Sequence, residues 1–115
     1  MALNITHEIS NGISKITLSG RLDAATAPLF KAEVEKAAAG HANTVVLLIA
    51  DLEYMASAGL RVLVFAKQKM GSEAKIFIIG AQDMVKQTIE LSGFHQAVTI
   101  LDKYDPSVIE IDGGK

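Results

Sequence analysis

The stretch Met55-Ala56-Ser57-Ala58-Gly59-Leu60 puts one small hydroxyl where an apolar strand gives way to a helix. Two chemistries suit a serine there. Its oxygen can cap the helix by accepting a bond from an orphan backbone N–H, which is worth about 1 kcal/mol. Alternatively the hydroxyl can be phosphorylated, because a helix N-terminus stabilises the added charge of about −1.5 to −2 through its dipole and free N–H groups. The fold survives that modification, but an apolar docking patch around Ala58 and Leu60 acquires a dianion that a partner must then desolvate. Arg61, just inside the same helix, can pair with such a phosphate or with a carboxylate of a partner; the plainer reading is a solvated helix residue.

No other constellation points to catalysis. His7, His41 and His95 fall in a strand and two loops, without metal-ligand spacing, and are expected at the surface. The glycines are scattered as single caps and turns, so neither phosphate loop of the Walker type nor dinucleotide fingerprint is present. Asp51 and Glu53 are close in sequence but meet no visible acid/base partner. An enzyme built on Asp23 or Asp51 would lack a base, nucleophile and oxyanion donor that can be named together. The expectation is a non-enzyme without cofactor or metal.

Composition narrows the partners. A formal charge of −2, from 11 basic and 13 acidic residues with no basic block, gives no footprint for nucleic acid. Cysteine is absent, so no disulfide framework or thiolate chemistry arises. The first residues lack a basic start and a long apolar stretch, and the longest apolar run, Val45 to Ala50, is far below the roughly 18 residues of a membrane span. A soluble, cytoplasmic protein is expected. At 115 residues, half of them hydrophobic, one domain is the default, with Asp112 to Lys115 as a frayed tail.

The elements that position Ser57 follow from periodicity. Leu3, Ile5, His7 and Ile9 alternate with polar residues, and after Asn11-Gly12 the alternation resumes at Ile13, which predicts an antiparallel hairpin with a type I′ turn. Thr26-Ala27-Pro28 starts a helix that ends at Gly40, and Asp23 and Thr26 before that proline suit helix capping. Thr44 to Ala50, continuously apolar, predicts a strand covered on both faces. Asp51 to Ala56 is then a connection, in which Tyr54 and Met55 lead into a helix from Ser57 to Met70 stopped by Gly71. A strand from Lys75 to Ile79 follows. A helix from Asp83 to Leu91 then sets Met84, Val85, Thr88 and Leu91 on one side, with Gly93 as cap. Val98 to Ile100 forms a last strand, and Asp105-Pro106 starts a short helix through Val108 and Ile109. Strands alternating with helices imply an α/β fold with a mostly parallel sheet, the hairpin being the antiparallel exception.

Gly20-Arg21-Leu22-Asp23 with Thr26, then Val45 to Asp51-Leu52, then Ser57-Ala58-Gly59-Leu60 opening a helix, and finally Leu91-Ser92-Gly93-Phe94 occur in one order along nearly the whole chain. In these stretches the sequence resembles the STAS domains of bacterial anti-sigma factor antagonists. The resemblance implies a mixed sheet of about five strands with three to four helices mainly on one face. It also implies a partner-switching cycle: the unphosphorylated protein binds an anti-sigma factor serine kinase and so frees a sigma factor, phosphorylation of the serine aligned with Ser57 releases it, and a phosphatase resets it. Asp23, Thr26, Ala56, Ala58, Gly59, Leu60 and Arg61 would form the partner-binding surface. Ala56 and Ala58 stand where the family carries an Asp and a second hydroxyl, which favours an alternative: a STAS scaffold or ligand-sensing module that binds without covalent control.

Overall fold

The computed structural model describes residues 3–71 and 73–104. Strands β1 (Leu3–Ser10) and β2 (Ile13–Leu22) form the expected hairpin, paired from Leu3 with Gly20 to Ser10 with Ile13. Asn11 and Gly12 turn it with φ of 54° and 78°, the two left-handed residues a type I′ turn demands. Helix α1 (Ala27–Ala39) follows, with Pro28 in its first turn where no N–H is missed. Its buried residues Ala27, Phe30, Val34 and Ala37 recur at three and four, the spacing of one helical face.

Strand β3 (Thr44–Met55), α2 (Ser57–Met70), β4 (Lys75–Ile79), α3 (Asp83–Leu91) and β5 (Thr99–Leu101) complete the order, with a 3-10 turn at Phe94–Gln96 that periodicity did not signal. The sheet runs β1-β2-β3-β4-β5, and every pairing after the hairpin is parallel. Its helix-facing side carries the main core: Ile16, Leu18 and Leu22 of β2 and Leu47, Ile49 and Leu52 of β3 pack with Phe30 of α1, Leu63 of α2 and Ile89 of α3. Each such side chain contributes about 1.5–3 kcal/mol by leaving water. A smaller cluster of Val46, Phe77 and Ile79 lies on the other face, with Ile13, Leu48 and Leu101 against it. Strand β3 is therefore covered on both sides, as its unbroken apolar run implied. Past β5 the chain turns back, and the Tyr104 ring lies 4.9 Å from the Lys15 ammonium of β2.

Three expectations need correction. Asp51 to Met55 is not a connection; β3 continues through it, paired with β2 from Ser19 with Asp51 to Leu22 with Met55. Two register shifts let β3 carry an extra residue at each, and Gly20, at φ 100°, supplies backbone freedom at one of them. Second, α3 buries Val85 and Ile89, four apart, while Met84 is 63 % and Leu91 87 % exposed. Third, His7 is not a surface residue: only 9 % of its side chain is exposed, between Ser14 and Glu33. The final strand is shifted by one residue from Val98–Ile100, and the helix expected after Asp105 lies outside the described residues. No helix among the described residues is long and apolar enough to cross a membrane.

Candidate functional site

Helix α2 begins where β2 and β3 end together. The Ala56 N–H donates to the Leu22 carbonyl at 2.8 Å, which fixes the start of the helix to the end of β2. Gly59 lets the two approach: a Cβ there would stand 2.7 Å from Leu22 Cδ2 and 3.1 Å from Met55 Cγ. The cap position is Ala56, in extended conformation, and its carbonyl accepts the Gly59 N–H at 2.9 Å. Ser57 is thus the first helical residue rather than the cap, and the capping role weighed for it does not apply. Its side chain is exposed and makes no hydrogen bond among the described residues.

The loop before α1 reaches the same end of the sheet. Asp23 Oδ1 accepts the Ala25 and Thr26 N–H groups, each at 3.1 Å. Thr26 Oγ1 accepts the Asp23 N–H and donates to the Arg21 carbonyl, both at 2.9 Å. The backbone N–H of Thr26, then its hydroxyl, hold the Asp23 carboxyl below the usual carboxylate range. Asp23 is therefore committed to its own loop, and Thr26, 4 % exposed, supports that loop from beneath without a side-chain cap bond to α1. Beside it the Arg21 guanidinium lies 4.4 Å from the Tyr54 ring, a cation–π contact across the ends of β2 and β3.

Two hollows flank α2. One, of about 560 Å³ and mostly apolar, lies between Ser57, Leu60, Arg61 and Val64 of α2 and the turn from Ser92 to Phe94 with Gln96 and Ala97. The other, of about 370 Å³, lies between Ala58, Arg61, Val62 and Phe65 and the start of α1 at Ala24, Ala27, Pro28 and Lys31. Ser57, Leu60 and Arg61 thus meet in one hollow, Ala58 and Arg61 in the other, and Gly59 is buried below both. Sequence reasoning missed the second wall of the first hollow; Leu91-Ser92-Gly93-Phe94 was conspicuous only as a matching stretch. An apolar concavity with a modifiable hydroxyl on its rim can take an apolar side chain of a protein partner and lose it when charge is added.

Asp51 and Glu53 lie exposed on β3, and among the described residues no group of three His, Asp or Glu side chains could hold a metal. Ser14, His7 and Glu33 line up as hydroxyl, imidazole and carboxylate, but Ser14 is fully buried, so its oxygen meets no substrate.

A mixed five-stranded sheet with an antiparallel first hairpin and three helices against one face, with a serine at the start of α2, is the α/β architecture that the resemblance implied. The chain belongs to the STAS domain family, whose model matches residues 4–108. It is similar to the anti-sigma-F factor antagonist RsfB of Mycobacterium tuberculosis, 19 % identical over 99 % of this chain and 93 % of that protein. Its fold matches an anti-sigma factor antagonist from Mycobacterium paratuberculosis with a TM-score of 0.82 and 21 % identity, over 93 % of this chain and 92 % of that one. It also matches the anti-sigma factor antagonist SpoIIAA in its unphosphorylated form, with a TM-score of 0.79 and 16 % identity, over 94 % and 95 % of the two chains. SpoIIAA of Bacillus has a phosphorylated form as well, matched at a TM-score of 0.71 and 15 % identity over 94 % and 98 % of the chains.

Proposed function

We propose that this protein is an anti-sigma factor antagonist that acts by partner switching in the bacterial cytoplasm. Unphosphorylated, it binds an anti-sigma factor serine kinase through the surface at the start of α2, formed by Ala56, Ala58, Leu60 and Arg61, with Asp23, Thr26 and Gly59 setting its shape. The observation that carries this reading is the exposed Ser57 hydroxyl at the first position of α2, on the rim of an apolar hollow and without a hydrogen bond among the described residues. In the kinase complex Ser57 Oγ attacks the γ-phosphorus of ATP; the new O–P bond forms as the bond to ADP breaks, and the hydroxyl proton passes to a base of the kinase. The phosphate is stabilised by the N–H groups of the first turn, so the fold persists while the hollow becomes costly to dock. A protein phosphatase hydrolyses the ester and restores the binding form. The names of the M. tuberculosis relative and of SpoIIAA, and the two forms of SpoIIAA, support this reading.

Ala56 and Ala58 favour a second reading, constitutive binding by a scaffold or ligand-sensing module, because no polar side chain flanks the acceptor. Intact-mass spectrometry after incubation with ATP and the serine kinase anti-sigma factors of the host, with Ser57→Ala in parallel, separates them. One added phosphate that vanishes in the variant is the outcome expected of the switch. Binding without any mass gain sinks it in favour of the constitutive module.

A further inference from the structure

The segment Ser57–Met70 carries no acidic side chain, so Arg61 finds no carboxylate on its own helix. Its exposed guanidinium makes no ion pair or hydrogen bond among the described residues. Neighbouring cations are engaged elsewhere: the Lys31 ammonium lies 4.7 Å from the Phe65 ring, and Lys67 donates to the Ala74 carbonyl at 2.7 Å. Arg61 alone lines both hollows, and it is the one charged side chain on the wall of the hollow that holds Ser57. Residues four apart on a helix are neighbours on one face, and long side chains lean toward the helix N-terminus. Arg61 is therefore within helical reach of the turn that Ser57 begins, and both line the same hollow.

We propose that Arg61 is the residue that captures a phosphate on Ser57. The guanidinium leaves its place between the two hollows and forms a bidentate contact with the phosphate oxygens, the geometry in which arginine is strongest. Phosphoserine and arginine together then close the mouth of the hollow over Leu60 and Val64, and any carboxylate of a partner loses its cation at the same moment. This rests on the reading of Ser57 as the modified residue and gives that switch a second component, occlusion of the hollow in addition to added charge.

The test uses full-length protein with phosphoserine placed at position 57 during translation, titrated by ³¹P NMR. Replacing Arg61 with Gln (R61Q) is expected to raise the second phosphate pKa by about half a unit, since an opposite charge in contact favours the dianion. Arg61→Lys is expected to recover part of that shift, because it keeps the charge and loses the fork. Equal titration of the parent and R61Q proteins overturns the proposal. Because no kinase is used, the result is independent of the mass-spectrometric test of the switch: equal titration of the two proteins removes the capture by Arg61, and an unmodified serine removes the partner-switching cycle.

Discussion

The imidazole of His7 and the carboxylate of Glu33, 26 residues apart, meet at 2.9 Å and tie the outer strand β1 to α1. With Nδ1–H donating to Glu33, Nε2 is free to accept the hydroxyl proton of the buried Ser14 on β2, so three elements share one network. The bond from His7, then Lys36, holds the Glu33 carboxyl below its ordinary value, against burial, which pushes it up. A carboxyl lowered on folding adds stability that is fully present above its unfolded pKa and is lost as pH falls through the folded one. Glu33→Gln should therefore cost about 1 kcal/mol at neutral pH and flatten the acid limb below the ordinary value of 4.5. Urea midpoints for both proteins at pH 7 and at acid pH measure this, and parallel acid limbs would contradict it.

That network also shows where sequence reading stops. The alternation of β1 already set His7 in line with Leu3 and Ile5, but its partners come from β2 and α1, and nothing local announces Glu33. By contrast α2, β4 and α3 begin and end where periodicity placed them, because Gly71, Gly80 and Gly93 punctuate the chain with φ of 101°, 77° and 82°. The extension of β3 to Met55 was hidden because it depends on shifted pairing with β2 rather than on the strand's own composition. At the site, Ser57, Leu60 and Arg61 were legible as a helix start. The facing wall at Ser92 to Ala97 comes from a segment distant in sequence, and only tertiary packing brings it there.

The contact between Gly59 and Leu22 makes Gly59→Ala a test of how α2 is seated. Alanine is the better helix former by about 1 kcal/mol, but its Cβ would stand 2.8 Å from Cγ of the fully buried Leu22. Overpacking of that kind costs about 1–3 kcal/mol and should prevail, lowering the urea midpoint. A midpoint equal to or above that of the parent would show that the helix moves aside freely.

On α3, Met84 and Leu91 look like core residues by spacing and are 63 % and 87 % exposed. Replacing either with lysine should change the unfolding free energy by less than about 0.5 kcal/mol, the ordinary range for surface sites. Ile89→Ala, four residues after Val85 on the buried face, should cost about 2–5 kcal/mol. Thermal melts of the three variants decide the orientation of the helix, and a large loss at Leu91 would reverse it.

Thr26 separates loop shape from surface contact. Its hydroxyl serves the Asp23 N–H and the Arg21 carbonyl at a position 4 % exposed, so Thr26→Val keeps the volume and leaves both groups without their partner, at about 1–3 kcal/mol. The one hydroxyl proton is shared between the Arg21 carbonyl at 2.9 Å and Asp23 Oδ1 at 3.1 Å, so its loss also removes a contact that keeps the Asp23 carboxyl low, and its pKa should rise in the variant, which NMR of the carboxyl carbon reads directly. Thr26→Ser retains both bonds and should keep Asp23 as it is in the parent. If the proposed function holds and Thr26 acts on a partner only through the loop it holds, the serine variant binds an anti-sigma factor as the parent does and the valine variant binds it more weakly. Weakening in the serine variant with the valine variant unchanged would mean that the methyl group, and not the hydrogen bonding, is what the partner senses.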